Sequence, residues 1–231
     1  MNTQTCKAIR YSISGCVLDR SEGGSSMHDG SIEVMIHRRT LYDDRQGVGE
    51  PINETAFGTG LVIRGQHYLI FDSPSSSALY HRPAAQNLYL RPLHTYALVN
   101  TPYSDYSSKF IQSWSALKQT LPLNVHLLTF DQLSSDTYLV RLEHYFELNE
   151  DATYSKSVQF DLQTLFDSLG KVNNIVELTL GANLPLSNLK RLVWRTTENE
   201  SSEWQGKENR LSGTVVTLNP MEIRTFNITI A

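Results

Sequence analysis

Alternation with a period of two runs through this chain and restricts it to a small set of folds. Within residues 31–37, Ile32, Val34 and Ile36 share one face, and within residues 138–146 Val140, Leu142 and Phe146 do the same. This is the pattern of strands buried on one side and wet on the other. Shorter runs of the same kind occupy residues 61–63, 68–71, 96–99, 125–130, 175–180, 192–195, 214–218 and 223–230. Short strands at this density, separated by turn residues, predict an all-β chain of antiparallel sandwiches. Helical pattern is scarce. Asp161 ahead of Leu162 and Leu165 offers a cap and about one or two turns. Phe110, Trp114 and Leu117 stand at helical spacing that a packed loop explains equally well. Leu121-Pro122-Leu123 closes that segment, because proline disfavours helix and drives the preceding residue to an extended conformation. A boundary is expected there, dividing residues 1–120 from 121–231. Residues 196–212, rich in Glu, Ser, Asn and Gly, predict a long exposed loop.

The 231 residues are 40% hydrophobic and 19% charged, which places the chain among globular proteins and away from disordered ones. Basic residues number 20 against 24 acidic, for a net charge of -4, and no basic run exceeds Arg38-Arg39. A phosphate-tracking surface is excluded on that balance, so no nucleic-acid partner is expected. No apolar stretch approaches the roughly 20 residues of a membrane span. No secretory signal peptide is visible in the first 16 residues, which lack an apolar core. Yet Asn53, Asn199 and Asn227 head N-x-S/T triplets that would accept glycans in the secretory pathway. The conflict is what a part of a larger protein would produce. Cys6 and Cys16 are the only cysteines; one bridge or two free thiols both remain open.

Polar residues concentrate in residues 19–30 and 43–50, two glycine-bearing loops on either side of a strand. They could present Asp, Arg and His to a ligand from the rim of a sheet, or be turns and no more, as Asp29-Gly30 before an alternating strand would be. A glycosidase needs two carboxyl groups about 5 to 10 Å apart. Asp19, Glu22, Asp29, Asp43, Asp44 and Glu50 are candidates, but no spacing selects a pair, and Asp43 and Asp44 on an extended chain would point to opposite sides. The seven histidines are scattered, without a zinc-binding spacing, so no metal is assigned. The G-x-S-x-G elbow, the phosphate loop and the dinucleotide fingerprint are absent. Glu143 and His144 read as satisfied groups on a sheet rather than a catalytic dyad. Of the tryptophans that could stack on sugars, Trp194 reads as core, and Trp204 is the only one expected to be exposed.

Leu18-Asp19-Arg20-Ser21-Glu22-Gly23-Gly24-Ser25-Ser26, then Gly30 to Arg39, then Asp43-Asp44 to Glu50 resemble the C-terminal part of lysosomal-type α-mannosidases, glycoside hydrolase family 38. Residues 121–130 with Leu142-Glu143-His144 resemble the start of that family's last β-domain, and residues 218–226 resemble its closing strand. The order holds from Cys16 to the end, though residues 72–119 and 195–213 add little.

The resemblance implies part of a galactose-mutarotase-like β-supersandwich over 1–120 and a C-terminal β-sandwich over 121–231. It implies a retaining exo-glycosidase that removes α-linked mannose from N-glycans in an acidic, lysosomal setting. In the family the zinc ion and the Asp nucleophile belong to an N-terminal catalytic domain, so this chain is expected to bind no cofactor, to supply no catalytic residue and to be inactive alone. Its expected partners are that catalytic part and mannose-containing glycans. Arg20 is carried over as a substrate-side donor with Asp19 as its orienter; an interdomain brace from Arg20 to Asp19 or Asp44 is the alternative. Arg38 and Arg39 read as structural. A partial supersandwich would leave a sheet edge and an apolar face uncovered, and poor solubility is expected. The alternative function is a free-standing carbohydrate-binding or interaction module that holds glycans through Trp204, Tyr103 or Tyr106. An autonomous hydrolase using Asp19, Asp43 or Glu50 ranks last.

Overall fold

A computed structural model describes residues 4–7, 13–47, 49–73, 75–190, 211 and 213–231. Trp194, Trp204, Asn199, the strand expected at 192–195 and most of the loop expected at 196–212 lie outside the described residues. Contacts divide the chain into two compact units, Met1–Leu93 and His94–Ala231.

The first unit is built from small antiparallel sheets. Strands β1 (Gln4–Lys7), β2 (Ile13–Leu18), β3 (Gly23–Ser25) and β4 (Ser31–Met35) are followed by β5 (Thr55–Ala56), β6 (Thr59–Gly60), β7 (His67–Phe71) and helix α1 (Ser77–Tyr89). They pair as β1–β4–β3, β2–β7 and β5–β6. The β5–β6 hairpin turns at Phe57 and Gly58, both with positive φ (54° and 78°). This geometry costs glycine nothing but strains phenylalanine, whose ring stands fully in solvent. Helix α1 contacts β2 and β7. Val34 and Ala78 are the only buried hydrophobic residues among those described in this unit, while Tyr42, Val62, Leu69 and Phe71 stay exposed. Large apolar side chains of this unit thus stand in solvent.

The second unit holds the core. It contains α2 (Tyr103–Lys109), β8 (Val125–Gln132), β9 (Thr137–His144), β10 (Val158–Asp161), α3 (Leu162–Leu165), β11 (Val172–Leu178), β12 (Val215–Leu218) and β13 (Ile223–Ile230). One antiparallel layer has the order β11–β13–β9–β8, and β10 pairs with β12 in a second sheet. Alternation decides what faces inward: Val140 and Leu142 of β9 with Phe226, Ile228 and Ile230 of β13 cluster with Val216 and Leu218 of β12 and Leu162, Leu165 and Phe166 of the α3 turn. Phe130 stacks on Phe166, ring centroids 5.1 Å apart. The resulting architecture is an all-β sandwich. The expected cap is present, since Asp161 accepts the Gln163 N–H at 3.0 Å. Hydrogen bonds from the Thr214 side chain first, then from Gln163 and Thr164, outweigh the opposing effect of burial and hold the Asp161 carboxyl below its ordinary pKa.

Between the layers lies a buried ion pair. Arg224, 3% exposed, meets Glu177 through Nε–Oε1 at 2.7 Å and Nη2–Oε2 at 2.6 Å. Its Nη1 donates to the Thr217 carbonyl at 3.0 Å, so one guanidinium ties β13, β11 and β12 together.

Several expectations need correcting. Residues 61–63 and 96–99 form no strand, and Tyr96 and Leu98 stand almost fully exposed. Helix is less scarce than the pattern implied, because α1 runs 13 residues in spite of Pro83 in its interior. Helix α2 ends where the helical spacing of Phe110, Trp114 and Leu117 begins: Phe110 is already extended, and Trp114 is 65% exposed, so Trp204 is not the only tryptophan to look for in solvent. Separately from the boundary expected at residue 120, the contact division falls at Leu93, and the approach to Leu121 is bonded into the second unit. Lys118 N–H donates to the Leu165 carbonyl, and the Ser168 hydroxyl donates to the Ala116 carbonyl.

Candidate functional site

The pairing of β2 with β7 sets Leu18 opposite His67 and so brings the loop after one strand against the approach to the other. Asp19 is fixed at two points there: its N–H donates to the Gln66 carbonyl at 3.3 Å, and its Oδ2 accepts the Gln66 N–H at 3.0 Å. Arg20 turns to different partners. Its Nε donates to Glu22 Oε1 at 2.9 Å and its Nη1 to the Arg64 carbonyl at 2.7 Å. The Glu22 side chain, only 3% exposed, gives its second oxygen to His67 Nε2 at 2.8 Å. A carboxylate only accepts, so Nε2 carries the proton. Gly65 completes the cradle: a Cβ there would lie 2.5 Å from Arg20 Nη1 and 2.8 Å from Asp19 Oδ1.

The orienter of Arg20 is therefore Glu22, not Asp19, and the alternative brace to Asp19 or Asp44 is not formed. The Asp44 carboxylate caps the Gln46 N–H instead, and Asp43 caps that of Arg45, each at 3.0 Å. Sequence reasoning singled out Arg20 but missed Gly65, which lies against it, and His67, which meets Glu22, because both approaches depend on strand register across more than 40 residues. The Arg20 side chain is 26% exposed. Among the described residues its Nη2 has no hydrogen-bond partner, so one edge of a fixed guanidinium is open to hydroxyls or a carboxylate.

The other candidates are structural or dispersed. Arg39 donates to Asn53 Oδ1 at 2.7 Å, whereas Arg38 is exposed with no partner among the described residues. Glu143 and His144 project from opposite faces of β9. Glu143 meets His126 Nδ1 at 2.7 Å, and buried His144 donates from Nε2 to the Lys156 carbonyl at 2.9 Å while Nδ1 accepts the Phe146 N–H. They are no dyad. Burial, then the charge of Glu143 and the neighbouring Tyr154, push the Tyr145 hydroxyl above its ordinary pKa. Tyr103 is exposed, but Tyr106 stacks on Phe110 at 4.7 Å. Asn53 is half-buried; Asn227 lies mid-strand in β13, opposite Leu139 and Val176. Cys6 and Cys16 belong to strands of two different sheets. Among the described residues no three His, Cys, Asp or Glu side chains stand close enough to hold a metal ion, and no helix is long and apolar enough to cross a membrane.

Comparison with known proteins places the sequence in a family. Residues 124–226 match the Glycosyl hydrolases family 38 C-terminal beta sandwich domain. A lysosomal alpha-mannosidase of Mus musculus is 43% identical over 211 residues, covering 90% of this chain and 20% of the mouse protein. The lysosomal alpha-mannosidase of Homo sapiens is 37% identical over 210 residues, again 90% of this chain and 20% of its own length. The alpha-mannosidase of Canavalia ensiformis is 34% identical over 229 residues, 91% of this chain and 22% of the plant protein. The chain thus spans about a fifth of the length of these relatives. It belongs to glycoside hydrolase family 38, as a C-terminal portion of such a mannosidase that includes the family's C-terminal β-sandwich.

Proposed function

We propose that this chain serves as the C-terminal β portion of a lysosomal α-mannosidase that hydrolyses α-linked mannose from N-glycans. In this reading residues 121–231 are the terminal sandwich, and residues 1–120 are part of the mutarotase-like supersandwich that packs against a catalytic part elsewhere in the enzyme. The observation that carries it is identity of 34–43% to alpha-mannosidases along some nine-tenths of the chain. The lysosomal compartment rests on the names of the animal relatives, and glycans at Asn53, Asn199 and Asn227 would accord with it.

Within the enzyme this chain's contribution is scaffold and one substrate-side loop. Arg20, held at Nε and Nη1 with Nη2 unpaired among the described residues, donates to hydroxyls of the bound sugar; Asp19 fixes the loop rather than the guanidinium. Zinc, which the family uses, would activate the scissile mannoside from the catalytic part. This reading puts the ligands of that ion in the catalytic part and assigns it no step in this chain.

The test is hydrolysis of a chromogenic α-mannoside at about pH 5 by the purified chain and by the intact enzyme, with and without zinc. The chain alone is expected to give no turnover and the intact enzyme to be active. Turnover by the chain, abolished by Asp19→Asn or Asp43→Asn, would make it an autonomous hydrolase and overturn the reading. Mannoside binding by a soluble, inactive chain would instead make it a free-standing sugar-binding module, for which Tyr103 and Trp114 are among the exposed aromatics.

A further inference from the structure

Two arginines in this chain meet a glutamate in different ways. At Arg224 both carboxylate oxygens of Glu177 are used, one on Nε and one on Nη2. That side-on pairing closes the outer edge of the guanidinium, Nη1 donates to the Thr217 carbonyl, and the two remaining N–H groups are buried with a side chain that is 3% exposed. Arg20 begins the same pairing, Nε to Glu22 Oε1 at 2.9 Å, but the second oxygen does not go to Nη2. It is drawn away to His67 Nε2 at 2.8 Å. Glu22 is nearly buried and Arg20 and His67 are about a quarter exposed. The carboxylate therefore has little water to turn to, and its second oxygen must be satisfied by one of these neighbours.

We infer that His67 is a positioning residue for Arg20: by occupying Glu22 Oε2 it stops the carboxylate from closing the side-on pair, and so keeps the outer-edge N–H of Nη2 open for a sugar hydroxyl. Glu22 and the Arg64 carbonyl fix the plane of the guanidinium, and Gly65 lets the chain pass against it. This rests on the proposal that Arg20 faces substrate. It assigns His67 and Glu22 a task that is distinct from holding the fold together, because an Arg20–Glu22 pair without His67 would close up and be at least as stable.

The experiment is steady-state kinetics on an α-mannoside with the intact enzyme, with a thermal melt of each variant. Arg20→Ala is expected to lower kcat/KM tenfold or more, the order of a lost charge-assisted hydrogen bond. If it changes nothing, Arg20 does not face substrate, and both the substrate-side reading and this inference fall. Given that loss, His67→Leu is expected to lower kcat/KM about tenfold as Nη2 is taken by Glu22, with the same division between kcat and KM as Arg20→Ala and with Tm unchanged or raised. His67→Gln, whose amide can donate to Oε2, is expected to stay within about threefold of the wild type. Full activity of His67→Leu beside an impaired Arg20→Ala overturns the role of His67 and leaves that of Arg20 standing. Failure of His67→Gln to restore activity, or a fall in Tm that accounts for the loss in His67→Leu, also overturns it.

Discussion

At the scale of single residues, the greatest structural consequence attaches to Arg224, which lies 5.2 Å over the ring of Phe226 as well as pairing with Glu177. Removing one partner leaves the other charge buried and uncompensated. Glu177→Ala is expected to cost about 3 kcal/mol, read as a lower urea midpoint at unchanged slope; replacing both residues with hydrophobic ones of similar volume should recover most of the loss. Residue-level reading of the sequence had uneven reach, for a physical reason. The Asp161 cap was legible because donor and acceptor are two residues apart. Glu22 as the partner of Arg20 was not, although it too is two residues away, because Asp19, Glu22 and Asp44 are equivalent carboxylates until the register of β2 against β7 ties Asp19 to Gln66 and sets Glu22 against His67.

Among the elements, the strands with a sustained period of two were those the sequence shows best. The strands β8, β9 and β13 lie where alternation put them, since each buries one face against the same core. Residues 61–63 and 96–99 carry the same local pattern without a paired neighbour, and alternation alone does not make a ladder. Helix α1 left little trace, with no side-chain cap, no acidic first turn and no basic last turn, and with a proline that removes the N–H bond to the Leu79 carbonyl. Pro83→Ala is therefore expected to stabilise α1 by up to about 3 kcal/mol. Slower amide hydrogen exchange at residues 84–89 than in the wild type is the readout.

For the whole molecule, stability is distributed unevenly. The apolar cluster belongs to the second unit, while the first buries Val34 and Ala78 and exposes a succession of large side chains. Native-state hydrogen exchange of the isolated chain is expected to show β2, β4 and β7 opening at lower free energy than β9 and β13. The purified chain should also bind a hydrophobic dye and aggregate in proportion to concentration; a monodisperse, dye-negative chain would mean that the first unit hides its apolar face some other way.

The position of β13 between β11 and β9 has a bearing on biosynthesis. A ribosome delivers β9 well before β13, so one flank of β9 has no lasting partner until residues 223–230 arrive, and Phe226, Ile228 and Ile230 reach the interior last. The sandwich therefore cannot grow hairpin by hairpin as it is translated; it condenses in one late, non-local step, with β9 and β11 exposed to chaperones in the interval.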